Sequence, residues 1–411
     1  MSTNCSDEPD DDTQALDRQL AQVENPTPRL WSKDYGQLLV VQFMFGLGFS
    51  TFYLLPKYLH QVYGANAATI GKITGVALLA AVVTTPVAAI WVGRGKRRMP
   101  TVTGLSLLAA SSLAFAFVDR IGWFMVLLRV VQGMAFCVFM TSIVTKTAEI
   151  VPDHRMGQAI GYLGLAALIT NALSPVIAEP LAELLGWPAV FSLAALWCTA
   201  AAYSAWQIDD APRSESRSNT DFSLILAGPL RSILYSAMIC GVALGVMFTY
   251  TQPLALQRGA LQVGAFFSGY ALLAAGVRLL IGNVADRFGR KWVSLVATLG
   301  YSLVLLLTAW VTPNTLFWSG AGLGIAHGIL YPALNALAFE MSDAGRRGIV
   351  AASFSGSFSL GYALSVLSLG FVADAWGLPS IFVGTALLTT TGAWALMNVH
   401  ETRAAALPPL R

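Results

Sequence analysis

Charge is what this sequence has least of. Only 11% of its 411 residues are Asp, Glu, Lys or Arg, against roughly 25% in a soluble domain, and the mean hydropathy is +0.62. That is too little polar surface to face water, which excludes a soluble globular fold. Cysteine is sparse too. Cys5 lies in the polar N-terminal stretch, and Cys137, Cys198 and Cys240 fall inside apolar runs without disulfide or metal-ligand spacing, so no disulfide framework and no metal or other cofactor is expected. The apolar runs hold no paired carboxylates, no His cluster and no nucleophile elbow, which argues against an enzyme. Long loops are lacking as well, which argues against a receptor or scaffold. Residues 1–32 carry Asp7, Glu8, Asp10, Asp11 and Asp12 and lack the basic-then-apolar order of a signal peptide. They are expected to form a disordered acidic cytoplasmic tail.

What is abundant is apolar residues, at 55% of the chain, gathered into runs of about 20, the length an α-helix needs to cross roughly 30 Å of hydrocarbon. Runs bounded by charge, Gly or Pro predict helices over 36–58, 70–92, 101–118, 122–147, 157–178 and 188–207, and again over 231–252, 263–284, 291–311, 315–339, 348–372 and 379–399. The loops on one side hold Arg94, Lys96, Arg97, Arg98, Arg155, Arg213, Arg217, Arg231, Arg287, Arg290, Lys291, Arg346 and Arg347, whereas the other side holds little beyond Arg120 and Arg258. Positive charge stays inside, so both termini are expected to be cytoplasmic. The expected fold class is therefore an all-α membrane protein of twelve transmembrane helices. Its parts are a tail (1–32), an N-terminal six-helix bundle (33–207), a polar linker (208–229), a C-terminal six-helix bundle (230–400) and a second tail (401–411).

The two sets of six are related. At an offset of 194 residues, Gly75, the run Ala77 to Ala81 and Gly95-Lys96-Arg97 match Gly269, Ala271 to Ala275 and Gly289-Arg290-Lys291. At an offset of 191, Gly133, Glu149, Gly157, Gly186, Pro188 and Phe191 match Gly324, Glu340, Gly348, Gly377, Pro379 and Phe382. An even number of spans separates the copies, so they are parallel repeats about an axis along the membrane normal.

Between spans eight and nine lies Gly282-Asn283-Val284-Ala285-Asp286-Arg287-Phe288-Gly289-Arg290-Lys291, and span four contains Arg129-Val130-Val131-Gln132-Gly133. The first resembles the cytoplasmic loop signature of the major facilitator superfamily, and the second its fourth-helix Arg-x-x-Gln-Gly signature. The resemblance covers nearly everything from about residue 33 to 400 and implies a transporter working by alternating access. In the loop, Gly282 permits close helix packing, Asp286 can face the positive end of a neighbouring helix, and Arg287 and Arg290 can pair with Glu340. Together with Gly289 and Glu149 these are the candidate cytoplasmic gate. The first-half loop keeps Gly95-Lys96-Arg97 but has Val92 and Ala88 where the second half has Asp286 and Gly282, so gating is expected to be asymmetric.

Arg129 and Gln132 share one helical face, and because an intramembrane arginine is costly, Arg129 either lines the cavity with Gln132, the preferred reading, or snorkels to the outer interface. By resemblance the pair influences coupling to protons. Arg129 cannot itself release a proton, and no carboxylate lies deep inside a predicted span, with Glu149, Glu179 and Glu340 near span ends. That leaves His327, near the middle of span ten, either as the titratable group or as a neutral packing residue. The resemblance makes Gln42, Tyr250, Tyr331 and Asn335 cavity-lining candidates, with Lys57 at the outer end of span one, although Lys57 and Arg278 can snorkel to an interface. Span five reads Asn171-Ala172-Leu173-Ser174-Pro175-Val176-Ile177-Ala178-Glu179 and only partly matches the Gly-Pro-x-x-Gly-Gly signature of proton-driven exporters. The leading expectation is proton-coupled export of small organic or amphipathic compounds from a bacterial inner membrane. The alternative is a permease for a small anionic metabolite, motivated by Lys57, Arg129, Arg278 and His327 without a balancing buried carboxylate. Expected partners are the small-molecule substrate, protons and the lipid bilayer. Nucleic acid is not expected, and the working unit is expected to be a monomer.

Overall fold

The computed structural model describes residues 31–93, 97–152, 155–208, 229–281, 284–341 and 347–399. Within them the chain forms twelve long helices: α1 (Lys33–Tyr63), α2 (Ala67–Gly93), α3 (Arg98–Phe115), α4 (Trp123–Ile150), α5 (Met156–Leu185), α6 (Trp187–Trp206), α7 (Pro229–Gln257), α8 (Gly264–Ile281), α9 (Arg290–Thr308), α10 (Leu316–Glu340), α11 (Arg347–Trp376) and α12 (Leu378–Met397). A single helical turn, Val284–Phe288, precedes α9. Ten of the twelve are long and apolar enough to cross a membrane; α3 and the shorter α8 fall outside those limits.

Local chemistry accounts for the ends and breaks. Ser32 starts α1 by accepting from the Tyr35 amide at 3.1 Å, the usual service of an N-cap hydroxyl. Pro56 has no N–H, and its ring crowds the carbonyl of Phe52. There α1 tightens into a 3-10 turn over Thr51–Leu54 before resuming. Span five differs most from expectation, because α5 runs through Pro175 and Pro180 to Leu185 instead of stopping near 178. A proline frees a carbonyl one turn back, which a membrane helix tolerates when its neighbours re-satisfy the backbone. Glu179 is thereby carried inside the helix rather than placed at its end.

The repeat is visible in the packing. Within the first half α1 packs on α5 and α6, α2 on α4, and α3 on α4 and α6; within the second half α7 packs on α11 and α12, α8 on α10, and α9 on α10 and α12. Between the halves α2 packs on α11 and α5 on α8, again a related pair. Gly186 and Gly377 both sit at φ 82°, a left-handed conformation that glycine adopts without a Cβ penalty. Each turns the chain immediately before a Trp187-Pro188 or Leu378-Pro379 helix start. Gly133 and Gly324, matched at the same offset, mark close approaches. A Cβ at Gly133 would collide with the Ala77 carbonyl oxygen of α2, and one at Gly324 with the Tyr270 carbonyl oxygen of α8. Such small-residue contacts let membrane helices pack backbone to backbone.

Candidate functional site

The start of α1 and the end of α12, twelve alternating helices apart, lie at one end of the bundle. There the first turn of α1 meets the end of α6 through Gln37 Nε2 and the Ser204 carbonyl (2.8 Å), and the start of α9 meets the end of α12 through Lys291 Nζ and the Met397 carbonyl (2.9 Å). We call this the terminal face and the opposite end the distal face.

The hydrogen bonds that join the two halves cluster towards the distal face. Glu179, in the last turns of α5, is 3% exposed. Its carboxylate accepts from the backbone amides of Val263 (2.7 Å) and Gly264 (2.6 Å) at the start of α8, and pairs with Lys57 Nζ of α1 at 2.5 Å. Lys57 donates a further bond to the Leu261 carbonyl at 3.0 Å. Across the pseudo-symmetry axis Asp374, in the last turn of α11, accepts from the amides of Ala67 (2.9 Å) and Ala68 (3.1 Å) at the start of α2. Beside it Lys72 Nζ lies 4.8 Å from the centre of the Phe371 ring, and Gln252 Nε2 of α7 reaches the Tyr53 carbonyl of α1 at 2.6 Å. Each carboxylate thus caps a helix of the other half, where the backbone amides are unsatisfied and the helix dipole is positive. Towards the centre from Glu179, the α1–α5 seam continues in polar pairs, Thr51 with Ser174 and Ser50 with Asn171, each at 2.9 Å.

These contacts correct two readings of the sequence. Lys57 neither snorkels nor stands free: it is buried against Glu179, and a buried carboxylate does balance it. The sequence held a signal for this, since a lysine in an apolar run needs a counter-ion and Glu179 replaces a glycine of the exporter-like stretch. What hid it was the assumption that the span ended before Glu179. Asp374 was missed for the same reason, two residues past the predicted end of span eleven.

About two turns into α4 from the distal face, Arg129 is buried. Its Nη1 donates to Gln132 Oε1 (2.6 Å), its Nε to the Ile73 carbonyl (3.2 Å) and its Nη2 to the Thr74 carbonyl (3.3 Å) of α2, and its guanidinium lies 5.7 Å from the Phe52 ring centre. Gln132 Nε2, Gln42 Oε1 and Asn335 Oδ1 are buried without a hydrogen-bond partner among the described residues. Tyr250 is spent on the Val366 carbonyl at 2.6 Å. His327 is 6% exposed, with Cys240 Sγ 3.8 Å from its Nδ1, and is ringed by Tyr270, Tyr301, Tyr331 and Phe358 at centroid distances of 5.5 to 6.2 Å. His327 pairs with no carboxylate among the described residues, and the charge that bears on it is the Arg278 guanidinium of α8.

An aromatic track links these regions across the seam. Phe49 follows Phe45 at 5.5 Å, Tyr53 lies 6.2 Å further on, and Phe248 of the second half meets Tyr53 at 5.3 Å. Tyr270 touches Phe248 at 5.0 Å and leads to His327.

At the terminal face the repeat reappears in charge. Glu149 at the end of α4 pairs with Arg97 (2.9 Å), and its equivalent Glu340 at the end of α10 pairs with Arg290 (2.8 Å). Both pairs lie within one half, so each ties a loop to its own bundle and does not itself bridge the halves. Arg97 also donates to the Val92 carbonyl, a backbone acceptor at the position where the second half has Asp286. Gly289 takes a positive φ of 88° ahead of α9, and Arg287 is exposed. Gly282 and the Asp286 side chain lie outside the described residues.

Two pseudo-symmetric six-helix bundles, meeting along paired helices and clasped at one end, define a polytopic integral membrane transporter. The family profile described as Major Facilitator Superfamily matches residues 38–261 and 246–411, and the chain belongs to that superfamily. It is 25% identical over 411 aligned residues to the "Multidrug resistance protein MdtG" of Enterobacter lignolyticus, covering 93% of this chain and 96% of that one. It is 25% identical over 311 residues to the "Multi-drug resistance efflux pump PmrA" of Streptococcus pneumoniae, covering 71% and 76%. Among solved structures, the fold matches the nucleoside transporter NupG with a TM-score of 0.72 at 14% identity, covering 90% of this chain and 100% of that one. It also matches a bacterial homologue of the lysosomal transporter Spinster in its inward-facing, unoccupied conformation, with a TM-score of 0.70 at 16% identity and coverage of 90% and 98%.

Proposed function

We propose that this protein is a proton-coupled exporter of small organic, amphipathic compounds, working as a monomer in a bacterial inner membrane with the terminal face in the cytoplasm. The observation that carries the substrate class is the aromatic track across the seam. Rings offer large apolar area with little rotamer entropy to lose, which suits ligands that are flat and apolar rather than multiply charged. The names of the MdtG and PmrA relatives support export.

The contacts of Lys57 and Arg129 weaken the anion-permease reading. Two of the cations that motivated it are committed elsewhere, Lys57 to Glu179 and Arg129 to Gln132 and two α2 carbonyls. In the exporter reading the clasped distal face is the outer gate in its closed state, and Arg129, Gln132 and His327 lie between that gate and the cytoplasm as coupling residues. Gln42, Tyr331 and Asn335 belong to the cavity wall.

Purified protein in proteoliposomes, with ethidium as probe, tests this. Ethidium should leave the compartment that faces the terminal side when the distal side is made acidic, and a protonophore should abolish the flux. Counterflow of inorganic phosphate with no ethidium movement would replace the proposal with the anion permease. Arg129→Lys keeps the charge but loses the planar fork that serves Gln132, Ile73 and Thr74 at once. It should lower proton-driven flux by about tenfold, the equivalent of about 1.4 kcal/mol.

A further inference from the structure

We propose that Arg278 recognises an anionic group on the exported compound, so that amphipathic molecules bearing a single carboxylate, phosphonate or sulfonate are the preferred substrates. This rests on the export reading above and narrows its substrate class.

Two helix registers place Arg278. Along α8 and α10 the close approaches step together: a Cβ at Gly320 would meet the Phe266 carbonyl, one at Gly324 the Tyr270 carbonyl, and one at Gly328 would lie 3.2 Å from the Ala274 Cα. Continued in the same register, Arg278 is level with Pro332, about 12 Å inside the terminal end of α10 at 1.5 Å per residue. On the other side, its Nη1 lies 3.8 Å from where a Cβ of Gly164 would stand, and Gly164 is also about 12 Å into α5 from the terminal face. The guanidinium is therefore held within the span and has not climbed to the interface, as a snorkelling arginine would.

The seam between α5 and α8 opens at this point. One stripe of α5 faces α8: Glu179 bonds to the Gly264 amide at 2.6 Å, and Leu168 shares a buried cluster with Ala271 and Ala274. Gly161 and Gly157 continue that stripe towards the terminal face, and a Cβ at either would meet nothing within 4 Å among the described residues. On α8, Gly276 is open in the same sense. The two helices thus bound a wedge that widens towards the terminal face, with Arg278 at its narrow end.

No described residue answers the charge there. Nε is buried without a hydrogen-bond partner, and Arg278 forms no ion pair or hydrogen bond with a described residue, whereas Lys57 has Glu179 and Arg129 has Gln132 and two carbonyls. A guanidinium inside a span is costly unless a counter-charge reaches it, and a ligand entering the wedge supplies one. The planar fork takes a carboxylate, phosphonate or sulfonate through two parallel N–H···O bonds. An apolar body finds its own surface alongside. The charge of Arg278 bears on Tyr270, His327 and Tyr331, and Tyr331 packs on Phe354 and Phe358, each at 5.3 Å. One cation beside rings suits one anionic group on a flat body, whereas a multiply charged metabolite would leave its second charge among the aromatics.

Two probes with the same rings test this: naphthalene-2-sulfonate, which stays ionised at every working pH, and neutral naphthalene-2-sulfonamide. In calorimetric titrations of the full-length protein in phosphatidylcholine nanodiscs, the sulfonate should bind more tightly. Arg278→Gln should weaken the sulfonate by about 10- to 100-fold, the worth of hydrogen bonds to a charged group, and leave the sulfonamide unchanged, which also reports that the variant folds. Arg278→Lys, with the charge but not the fork, should recover part of the loss, and Arg120→Gln, which removes an exposed distal cation, should match the wild type. Equal binding of the two probes by the wild type, or sulfonate affinity that survives Arg278→Gln, would overturn the inference. Loss of both probes together in both Arg278 variants would make the residue structural and overturn it as well. Phosphatidylglycerol in the discs separates the two sources of such an anion. Sulfonate binding that persists supports a substrate, whereas binding abolished by the anionic lipid gives the wedge to a lipid headgroup and overturns the substrate assignment. Ethidium, a cation, does not need the guanidinium, and its flux should not fall in Arg278→Gln. Sulfonate that binds through Arg278 but does not move under a pH gradient leaves the binding site standing and sinks proton-coupled export. Ethidium export without Arg278-dependent sulfonate binding keeps export and sinks the anion site.

Discussion

The two carboxylates that join the halves at the distal face use the same backbone device in opposite environments. Glu179 and Asp374 each receive two amides from the first turn of a helix in the other half. Glu179 is buried and carries a buried lysine at 2.5 Å, whereas Asp374 is exposed. The backbone symmetry of the repeat is therefore kept while its electrostatics are not. In water a capping carboxylate is a modest, salt-screened contact, but the same carboxylate in a dry seam cannot be removed without stranding its partners. The asymmetry expected at the cytoplasmic loops, where Val92 replaces Asp286, is matched by an asymmetry at the opposite end of the molecule.

Removing Glu179 should have the largest effect. Glu179→Ala leaves Lys57 buried without a counter-ion and two amides without acceptors, which costs about 3–5 kcal/mol, read as a lowered thermal midpoint of the purified protein. The double variant Glu179→Leu with Lys57→Met replaces the pair by apolar side chains of similar size and should recover most of that loss. If Glu179→Ala and Asp374→Ala prove equally damaging, the distinction between a buried and an exposed clasp collapses.

Asp374→Ala should cost less, about 1 kcal/mol, the usual loss of an N-terminal cap. Because its carboxylate is exposed, that difference should shrink when ionic strength is raised, whereas the Glu179→Ala deficit should not. Thermal midpoints of both variants at low and high salt make the measurement.

How far the sequence could be read follows the same line. Lipid imposes a length and an apolar composition on every span, so the twelve helices and their repeat were written in hydropathy and in matched glycines such as Gly133 and Gly324, each of which is a helix contact. The pairing of Arg290 with Glu340 was legible because both flank a charged loop. Glu179 was not, because charge and proline together mimic a helix end, and only the packed neighbours reveal that α5 continues past Pro180 and that the carboxylate turns into the seam. Arg129 was legible as costly, but not its acceptors, since the backbone carbonyls of Ile73 and Thr74 leave no trace in side-chain identity. The aromatic track was also hidden, because it joins residues scattered over α1, α7, α8 and α10 that only the fold brings into line.

The smallest effect belongs to Lys72, which sharpens the comparison from the exposed side. Its ammonium lies 4.8 Å from the Phe371 ring centre, one turn before Asp374 on α11, so it adds an attraction between α2 and α11 where the Glu179 clasp uses an ion pair. An exposed contact of this kind contributes about 0.5–1 kcal/mol. Lys72→Leu should therefore lower the thermal midpoint only slightly, and Lys72→Arg, which keeps a cation over the ring, should leave it unchanged. In the Asp374→Ala background the same Lys72→Leu change should add its full increment, because the lysine is held by the ring and not by the carboxylate. A strongly non-additive pair would instead make Lys72 a counter-ion of Asp374 and bring the exposed clasp closer in kind to the buried one.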